Sequence, residues 1–458
     1  MKYVRMPMEE ESPEQLGYGA ITFNLSESSV RDRSLAEIGV QLPDLVLFYG
    51  DHAGHPSFRE LIAAQSGAGI TADHVLVCAG AAHALFIIAT ALLEPGDHLV
   101  VVRPNYATNI EVPRAIGVDS TYYDLRFEDG FRLDVERLLH MIRPTTRCVS
   151  VTVPHNPTGQ VMTPAELETL VRGVERAGCR LLVDETYREM TYGACLPVAA
   201  TLSERVISVS SLSKTYGIPG IRMGWAVCSD SELLSTFLAA KEQIGICNSV
   251  VDEEIAFQVF SQRATWLPEI RHRIAEALTV VAKWMATEDL MEWIQPQGGV
   301  VCFPRIKPEV PVDLDLFYSV LLHKYDTYVG PGHWFEQPRR YMRVGYGWPT
   351  LAELREGLSA ISAAYPAAEA AGKMGRLLSG DGVGHWLGGL HPVARPLQFE
   401  LPIGDARERA PMLRTEAILQ DRPVMVRRRV AYVRREPPCR VNFVQPAHDR
   451  VSRHLSHD

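Results

Sequence analysis

At 458 residues, 46% apolar and 22% charged, the chain has the make-up of a globular protein with a full core, and it is too long for one simple core, so two domains or more are expected. The formal net charge of −9 argues against a nucleic-acid binder. Eight cysteines lie scattered with no C-x-x-C pair, a pattern of reduced, mostly buried thiols in a cytoplasmic protein rather than of disulfides, and no metal site is expected. The opening MKYVRMPMEEESPEQ holds no apolar core of a secretion signal, and the longest apolar stretch, ALFIIATALL at 84–93, is too short to span a membrane.

In chain order, residues 1–45 form an N-terminal segment, and from about 45 to 240 short apolar runs alternate with helical periods. HVLVCAG (74–80) predicts a strand ending at Gly80, followed by a helix over 81–93. HLVVVRP (98–104), CVSVTVP (148–154), RLLVDE (180–185) and RVISVSS (205–211) are β-branched runs suited to strands buried on both faces. A helix is expected over 164–178, capped by Thr163 with Glu166 three residues on. Strands alternating with helices imply an α/β fold with a mostly parallel, doubly wound sheet over 46–245. Over 246–366 the helices lengthen, and the isolated strands GVVCFPR (299–305) and YMRVGYG (341–347) suggest a smaller α+β domain. After Pro366 a small-residue, Gly-rich stretch reads as a linker. Beyond it, PMLRTEAILQ and RPVMVRRRVAYVRRE predict two strands in an arginine-rich extension, 367–458 overall, read as charge-protected edges rather than a nucleic-acid patch. The final HDRVSRHLSHD is expected to fray.

The chemistry gathers around SLSKTYGIPGIRMGW (211–225). The strand before it delivers Lys214 to the strand's C-terminal end, where ligands sit in open α/β sheets. Ser211, Ser213 and Arg222 can bind a phosphate dianion, and a lysine beside such a clamp points to pyridoxal phosphate. The same letters satisfy S-x-x-K, an acylating-serine motif, but its companions S-D-N and K-T-G are missing: the nearest strings are Ser229-Asp230-Ser231 and Lys214-Thr215-Tyr216. A pyridoxal site also needs a buried carboxylate to keep the pyridine nitrogen protonated, and Asp184 ends an apolar strand. Tyr187 and the Asn156 of PHNPTG are placed to reach the ring's phenolic oxygen. Gly80-Ala81-Ala82 opens a helix whose first-turn amides can receive an anion, and Tyr106 can stack on the ring.

In order along residues 20 to 365, Tyr49 with Gly54, Gly80-Ala81-Ala82, Tyr106, Asn156-Pro157-Thr158-Gly159, Asp184 with Tyr187, Ser211 with Lys214 and Arg222, and Arg343 resemble the class I/II aminotransferases, fold type I pyridoxal-phosphate enzymes. The resemblance implies that Lys214 forms the Schiff base with the cofactor and then shuttles the Cα proton, while Asp184 protonates the ring nitrogen. It gives Asn156 and Tyr187 to the phenolic oxygen and Tyr106 to the ring face. Arg222, Ser211 and the amides of Ala81 and Ala82 take the phosphate. Arg343 would grip the substrate α-carboxylate. Tyr49 would reach the phosphate of a neighbouring subunit, which implies a homodimer with shared active sites. The expected partners are an amino acid and a keto-acid acceptor, with neither nucleic acid nor membrane.

An anchored carboxylate favours cleavage of Cα–H, hence transamination, with β-elimination (such as C–S cleavage), oxidative deamination or cyclisation as the alternatives on the same scaffold. NLSES, PHNPTG and GGVVCFPR are similar to members that act in antibiotic pathways on arginine-derived or cysteine-derived amino acids. Ser26, Glu27 and Ser28 are candidates to meet a polar or cationic substrate side chain. Asp51, His52 and His55 fall in the segment expected to face the neighbouring subunit's site.

Overall fold

The structure is a computed structural model and describes residues 1–379 apart from Ala68. The chain divides into two compact units, Met1–Val383 and Gly384–Asp458, and the described residues all belong to the first. The two arginine-rich strands and the frayed end expected from sequence lie outside the described residues.

Seven strands build the main sheet: β2 (Val75–Cys78), β3 (His98–Arg103), β4 (Asp119–Asp124), β5 (Thr146–Thr152), β6 (Arg180–Asp184), β7 (Val206–Ser211) and β8 (Gly224–Val227). Their spatial order is β2-β8-β7-β6-β5-β3-β4, parallel throughout except for β8, which runs against both neighbours. Side chains alternate between two cores, as a strand's period of two requires. Leu99, Val101, Leu182 and Ile207 meet Leu85 and Ile88 of helix Ala81–Leu92 on one face. On the other face Val100, Val102, Val149, Val151 and Val183 meet Leu167, Leu170 and Val174 of helix Pro164–Ala177. Each fully buried Leu or Ile contributes about 1.5–3 kcal/mol. The capping box of Thr163 and Glu166 opens the second helix as its sequence predicts.

Two strands escape the sequence pattern. β4 is DSTYYD, an edge strand paired only to β3, so it lacks the apolar run that marks a doubly buried strand. β8 is four residues, GWAV, and its first glycine has a structural cause: a Cβ on Gly224 would lie 2.6 Å from the Ala81 nitrogen. Only a bare backbone lets β8 pass beside the start of helix Ala81–Leu92, bringing that helix N-terminus alongside Ser211, the register partner of Gly224.

Helices Arg263–Met285, Leu314–Tyr325 and Leu351–Ser379 gather around small sheets in a separate apolar cluster, whereas helices Pro56–Ser66 and Val250–Ser261 pack on β2 and β8 of the main sheet. β1 (Phe23–Asn24) pairs parallel with β12 (Thr327–Tyr328), so the N-terminal segment is woven into the C-terminal elements. β10 (Val301–Cys302), β14 (Met342–Gly345) and β13 (Gly330–Pro331) make a three-stranded sheet, and β9 (Met291–Glu292) pairs with β11 (Arg305–Ile306). The single strand expected at 299–305 is thus two short ones, β10 and β11, interrupted at Phe303-Pro304, because proline cannot donate to a ladder. The linker expected from residue 367 is helical as far as Ser379. Among the described residues, no helix is long and apolar enough to cross a membrane, no His/Cys/Asp/Glu group has the makings of a metal site, and the cysteines are free thiols.

Gly345 locks the N-terminal segment to β14. Its N–H donates to Leu25 O at 2.7 Å, and a Cβ there would collide with the Glu27 carbonyl oxygen. Gly345→Ala is expected to lower stability by about 1–3 kcal/mol through overpacking. Urea unfolding of the two proteins followed by circular dichroism measures it; equal midpoints and slopes would refute this account of the contact.

Candidate active site

A cavity of ≈ 350 Å³ opens at the C-terminal ends of β5, β6 and β7, beside the N-terminus of helix Ala81–Leu92. Lys214, Asp184, Tyr187, Ala81, Ala82, Tyr106, Asn156, Ser211, Arg222, Arg343, Ser26 and Glu27 all line it, although they come from widely separated parts of the chain. Tyr49 does not: it is 75% exposed, away from this cavity. A larger open groove (≈ 770 Å³) lies past His155 and Met162, but none of the titratable residues just named reaches it.

Lys214 follows β7 by three residues, and its backbone carbonyl accepts from Val30 N at 3.0 Å, which fixes the loop. Burial pushes its pKa down, Glu27 pushes it back up, and the guanidinium of Arg343 pushes it down again. The net shift is downward, in the direction of the uncharged amine that a nucleophile requires. Asp184 ends β6 and is buried; its Oδ1 accepts from Thr186 N at 3.1 Å and Thr186 Oγ1 at 2.7 Å. Burial raises its pKa, while Thr186, Asn109 and Lys214 oppose the rise. Such a carboxylate is costly to leave ionised without a cation.

Tyr187 OH donates to Ser28 O at 2.9 Å, and burial pushes its phenol up to about 12, so it remains a donor at neutral pH. Arg343 stands on β14, 5% exposed. Its Nη2 donates to Ser26 O at 2.6 Å and its Nη1 to Asn156 Oδ1 at 3.4 Å, with the Phe335 ring centroid 5.2 Å from the guanidinium carbon. Its Nε has no partner although buried, a donor held ready for an anion. Ser26 acts here through its carbonyl, because its hydroxyl donates to Asn24 Oδ1 at 2.8 Å.

The phosphate end is built from backbone and arginine. Helix Ala81–Leu92 starts at Gly80 with φ 87° and no side-chain cap, leaving its first amides open to an anion. Arg222 lies against that glycine: a Cβ on Gly80 would sit 2.6 Å from Arg222 Nη2. Arg222 itself adopts a left-handed conformation, φ 49°, and its Nη1 donates to Pro219 O at 3.0 Å.

Other candidates have local duties. His55 caps helix Pro56–Ser66, its Nδ1 accepting from Phe58 N at 3.3 Å, and stacks on Phe257. Asp51 caps its own turn through Ala53 N at 2.8 Å, and His52 Nδ1 lies 2.7 Å from Glu242. Sequence reasoning missed Glu9, Glu14, Thr186 and Trp334, which also line the cavity. The MPMEEESPEQ run (6–15) that carries the first two reads as a plain acidic terminus.

The donor set fits one kind of group: an anion at the Gly80 helix start, a flat ring between Tyr106 and the strand ends, a basic ring nitrogen at Asp184 and a carbonyl carbon at Lys214. Pyridoxal phosphate has all four, and the site defines the class as a pyridoxal-phosphate enzyme of fold type I. Residues 16–361 match the family described as aminotransferase class I and II, and the chain belongs to it. Capreomycidine synthase of Streptomyces vinaceus is 31% identical over 348 residues, 74% of this chain and 86% of that protein. Arginine–pyruvate transaminase AruH of Pseudomonas aeruginosa is 28% identical over 298 residues, 63% of this chain and 74% of that one. Among solved structures, a PLP-dependent aminotransferase from Streptococcus suis 89-1591 superposes with a TM-score of 0.73 at 28% identity, covering 80% of this chain and 98% of that one. The PLP-dependent cyclase OrfR does so with a TM-score of 0.72 at 29% identity and the same coverage.

Proposed function

We propose that this cavity catalyses transamination of an amino acid, with Lys214 as both cofactor anchor and proton carrier. The observation that carries the proposal is the convergence of Lys214, Asp184 and Arg343 on one cavity. Bound here, pyridoxal phosphate would supply an aldehyde for Lys214 and a ring that accepts electrons from the substrate's Cα. Arg222, Ser211 and the amides of Ala81 and Ala82 would hold the phosphate, Tyr106 would pack on the ring, Asn156 would donate to its phenolic oxygen, joined by Tyr187 once its hydroxyl turns from Ser28 O, and Asp184 would keep its nitrogen protonated. Arg343 binds the α-carboxylate, which leaves Cα–H rather than Cα–COO⁻ as the bond offered to Lys214, and the lysine amine takes that proton.

Tyr49 belongs to this scheme through a second copy of the chain. Val46, Leu47, Phe48 and Tyr49 are 73%, 77%, 65% and 75% exposed, an apolar run suited to burial in a homodimer. A cytoplasmic location suits the free thiols.

A second reading, cyclisation or elimination without an acceptor, is favoured by the printed names of two relatives, capreomycidine synthase and the cyclase OrfR. Incubating the holoenzyme with amino acids, with and without a keto acid, separates the two. Turnover that requires the keto acid supports transamination; ammonia release or a cyclic product without it supports the second reading.

Arg343→Lys is expected to raise KM for amino-acid substrates by roughly 10- to 100-fold, the worth of a forked charge-assisted contact reduced to a point charge. The effect on kcat should be smaller, since the carboxylate is gripped in ground and transition state alike. Steady-state kinetics measures both, and an unchanged KM would show that another residue holds the carboxylate.

A further inference from the structure

The phosphate end of the cavity is made largely of backbone amides, and the turn that aims them carries a histidine for which the chemistry above has no use. Helix Ala81–Leu92 makes its first bond from Ala84 N to Gly80 O at 3.2 Å. The N–H groups of Ala81, Ala82 and His83 have no acceptor among the described residues and stay open to an anion. A first turn of this kind is ordinarily steadied by an N-cap side chain. Gly80 has none to give, and no larger residue can replace it: it sits at φ 87°, and a Cβ there would lie 2.6 Å from Arg222 Nη2.

The two N–H groups before the open ones are both satisfied inside the loop. Gly80 N donates to Cys78 O at 2.8 Å. Ala79 N donates to Nδ1 of His83, four residues ahead, at 3.1 Å. His83 thus reaches back over the turn, one residue farther than the glutamate of a capping box does, and closes a ring around the Gly80 junction.

This contact fixes the state of the imidazole. Nδ1 accepts only when it carries no proton, so the ring is neutral with its proton on Nε2. Burial and the Lys241 ammonium both push the His83 pKa down, which favours the same neutral form. The Nε2 atom is buried and has no partner among the described residues. A buried unpaired donor costs more than one neutral hydrogen bond returns, and a leucine of similar bulk would avoid that cost. Stability alone therefore does not account for an imidazole here. His83 does not line the cavity, so what it can serve is the shape of the loop that meets the phosphate.

We propose that His83 is a positioning residue for the cofactor phosphate: by holding Ala79 N–H it locks the corner at Gly80 and keeps the amides of Ala81, Ala82 and His83 aimed at one anion. The proposal rests on the assignment of the phosphate to this helix start.

The test titrates pyridoxal phosphate and pyridoxal, which differ only in the phosphate, into the full-length protein stripped of cofactor, with absorption as the readout. His83→Leu removes the acceptor and is expected to raise Kd for pyridoxal phosphate roughly 3- to 10-fold while leaving Kd for pyridoxal within about twofold. His83→Asn offers an amide oxygen in place of Nδ1 and should restore most of the affinity. The phosphorus NMR resonance of the holoenzyme should move in His83→Leu and return toward its wild-type position in His83→Asn. Equal losses for both ligands, no loss in His83→Leu, or an asparagine variant no better than the leucine one overturns the positioning role. His83→Ala replaces His83→Leu if the latter does not fold; if neither folds, the histidine serves the fold rather than the phosphate, and the proposal fails. Wild type that binds pyridoxal as tightly as pyridoxal phosphate overturns the phosphate assignment itself. A phosphate preference in wild type that persists in the acceptor-free variant overturns the role of His83 alone.

Discussion

Replacing Lys214 with alanine is expected to abolish turnover, by at least about 10⁴-fold, and to remove the absorption band of covalently held cofactor. The loss is large because one nitrogen serves two roles, anchoring the cofactor and moving the Cα proton, and no neighbour replaces it. The fold should persist: the hydrogen bond that positions this loop uses the Lys214 carbonyl, from Val30 N at 3.0 Å, and alanine keeps it. Lys214→Arg is the informative companion, for it retains a cation beside Glu27 but supplies no amine and should be equally inactive. Lys241 is an internal control. It is buried too, but its Nζ donates to His52 O at 2.6 Å and lies outside the cavity, so it should take no label on borohydride reduction. Wild-type label on Lys241, or turnover surviving in Lys214→Ala, would remove the basis of the proposed mechanism.

Much of this site is legible in the sequence because open α/β sheets present ligands at strand ends, and strand ends are easy to read. RLLVD and VISVS are unbroken apolar runs, so Asp184 and the approach to Lys214 stand out where polarity returns. The Gly80 junction is visible for the same reason, as a β-branched run that stops at a glycine before a helical period. What the sequence hides is set by long-range contact. Glu9 and Glu14 sit in an acidic run whose place is fixed by Glu11 binding Trp334, a partner more than three hundred positions away. Ser26 was readable as a polar candidate, but its use through the carbonyl depends on Arg343 arriving from β14. β8 escapes notice because only its approach to Ala81 explains why GWAV begins with glycine. Tyr49 is the exception among the cofactor-site residues singled out from sequence, for it lines no part of the cavity.

Asp184→Asn should separate function from stability in opposite directions. Asparagine keeps an Oδ1 acceptor for Thr186 N and Oγ1 but cannot hold a proton on a ring nitrogen, so kcat should fall by roughly 10²–10³, as when one preorganised charge contact is lost. For the cofactor-free protein the sign reverses. Burial raises the folded pKa of Asp184, so between the unfolded and folded values the native state binds a proton that the unfolded chain has released. Stability contributed at this position therefore falls as pH rises through that window, and above it the ionised carboxylate is a net cost. The neutral variant removes that cost, and cofactor-free Asp184→Asn should melt above cofactor-free wild type at pH 7 and converge with it in acid. Thermal unfolding at pH 4, 5.5 and 7 checks this. A carboxylate retained for structure would give the reverse, a variant less stable at neutral pH with activity nearly intact. The pair of measurements thus decides whether Asp184 is kept ionised, at the fold's expense, for the cation that the cofactor brings.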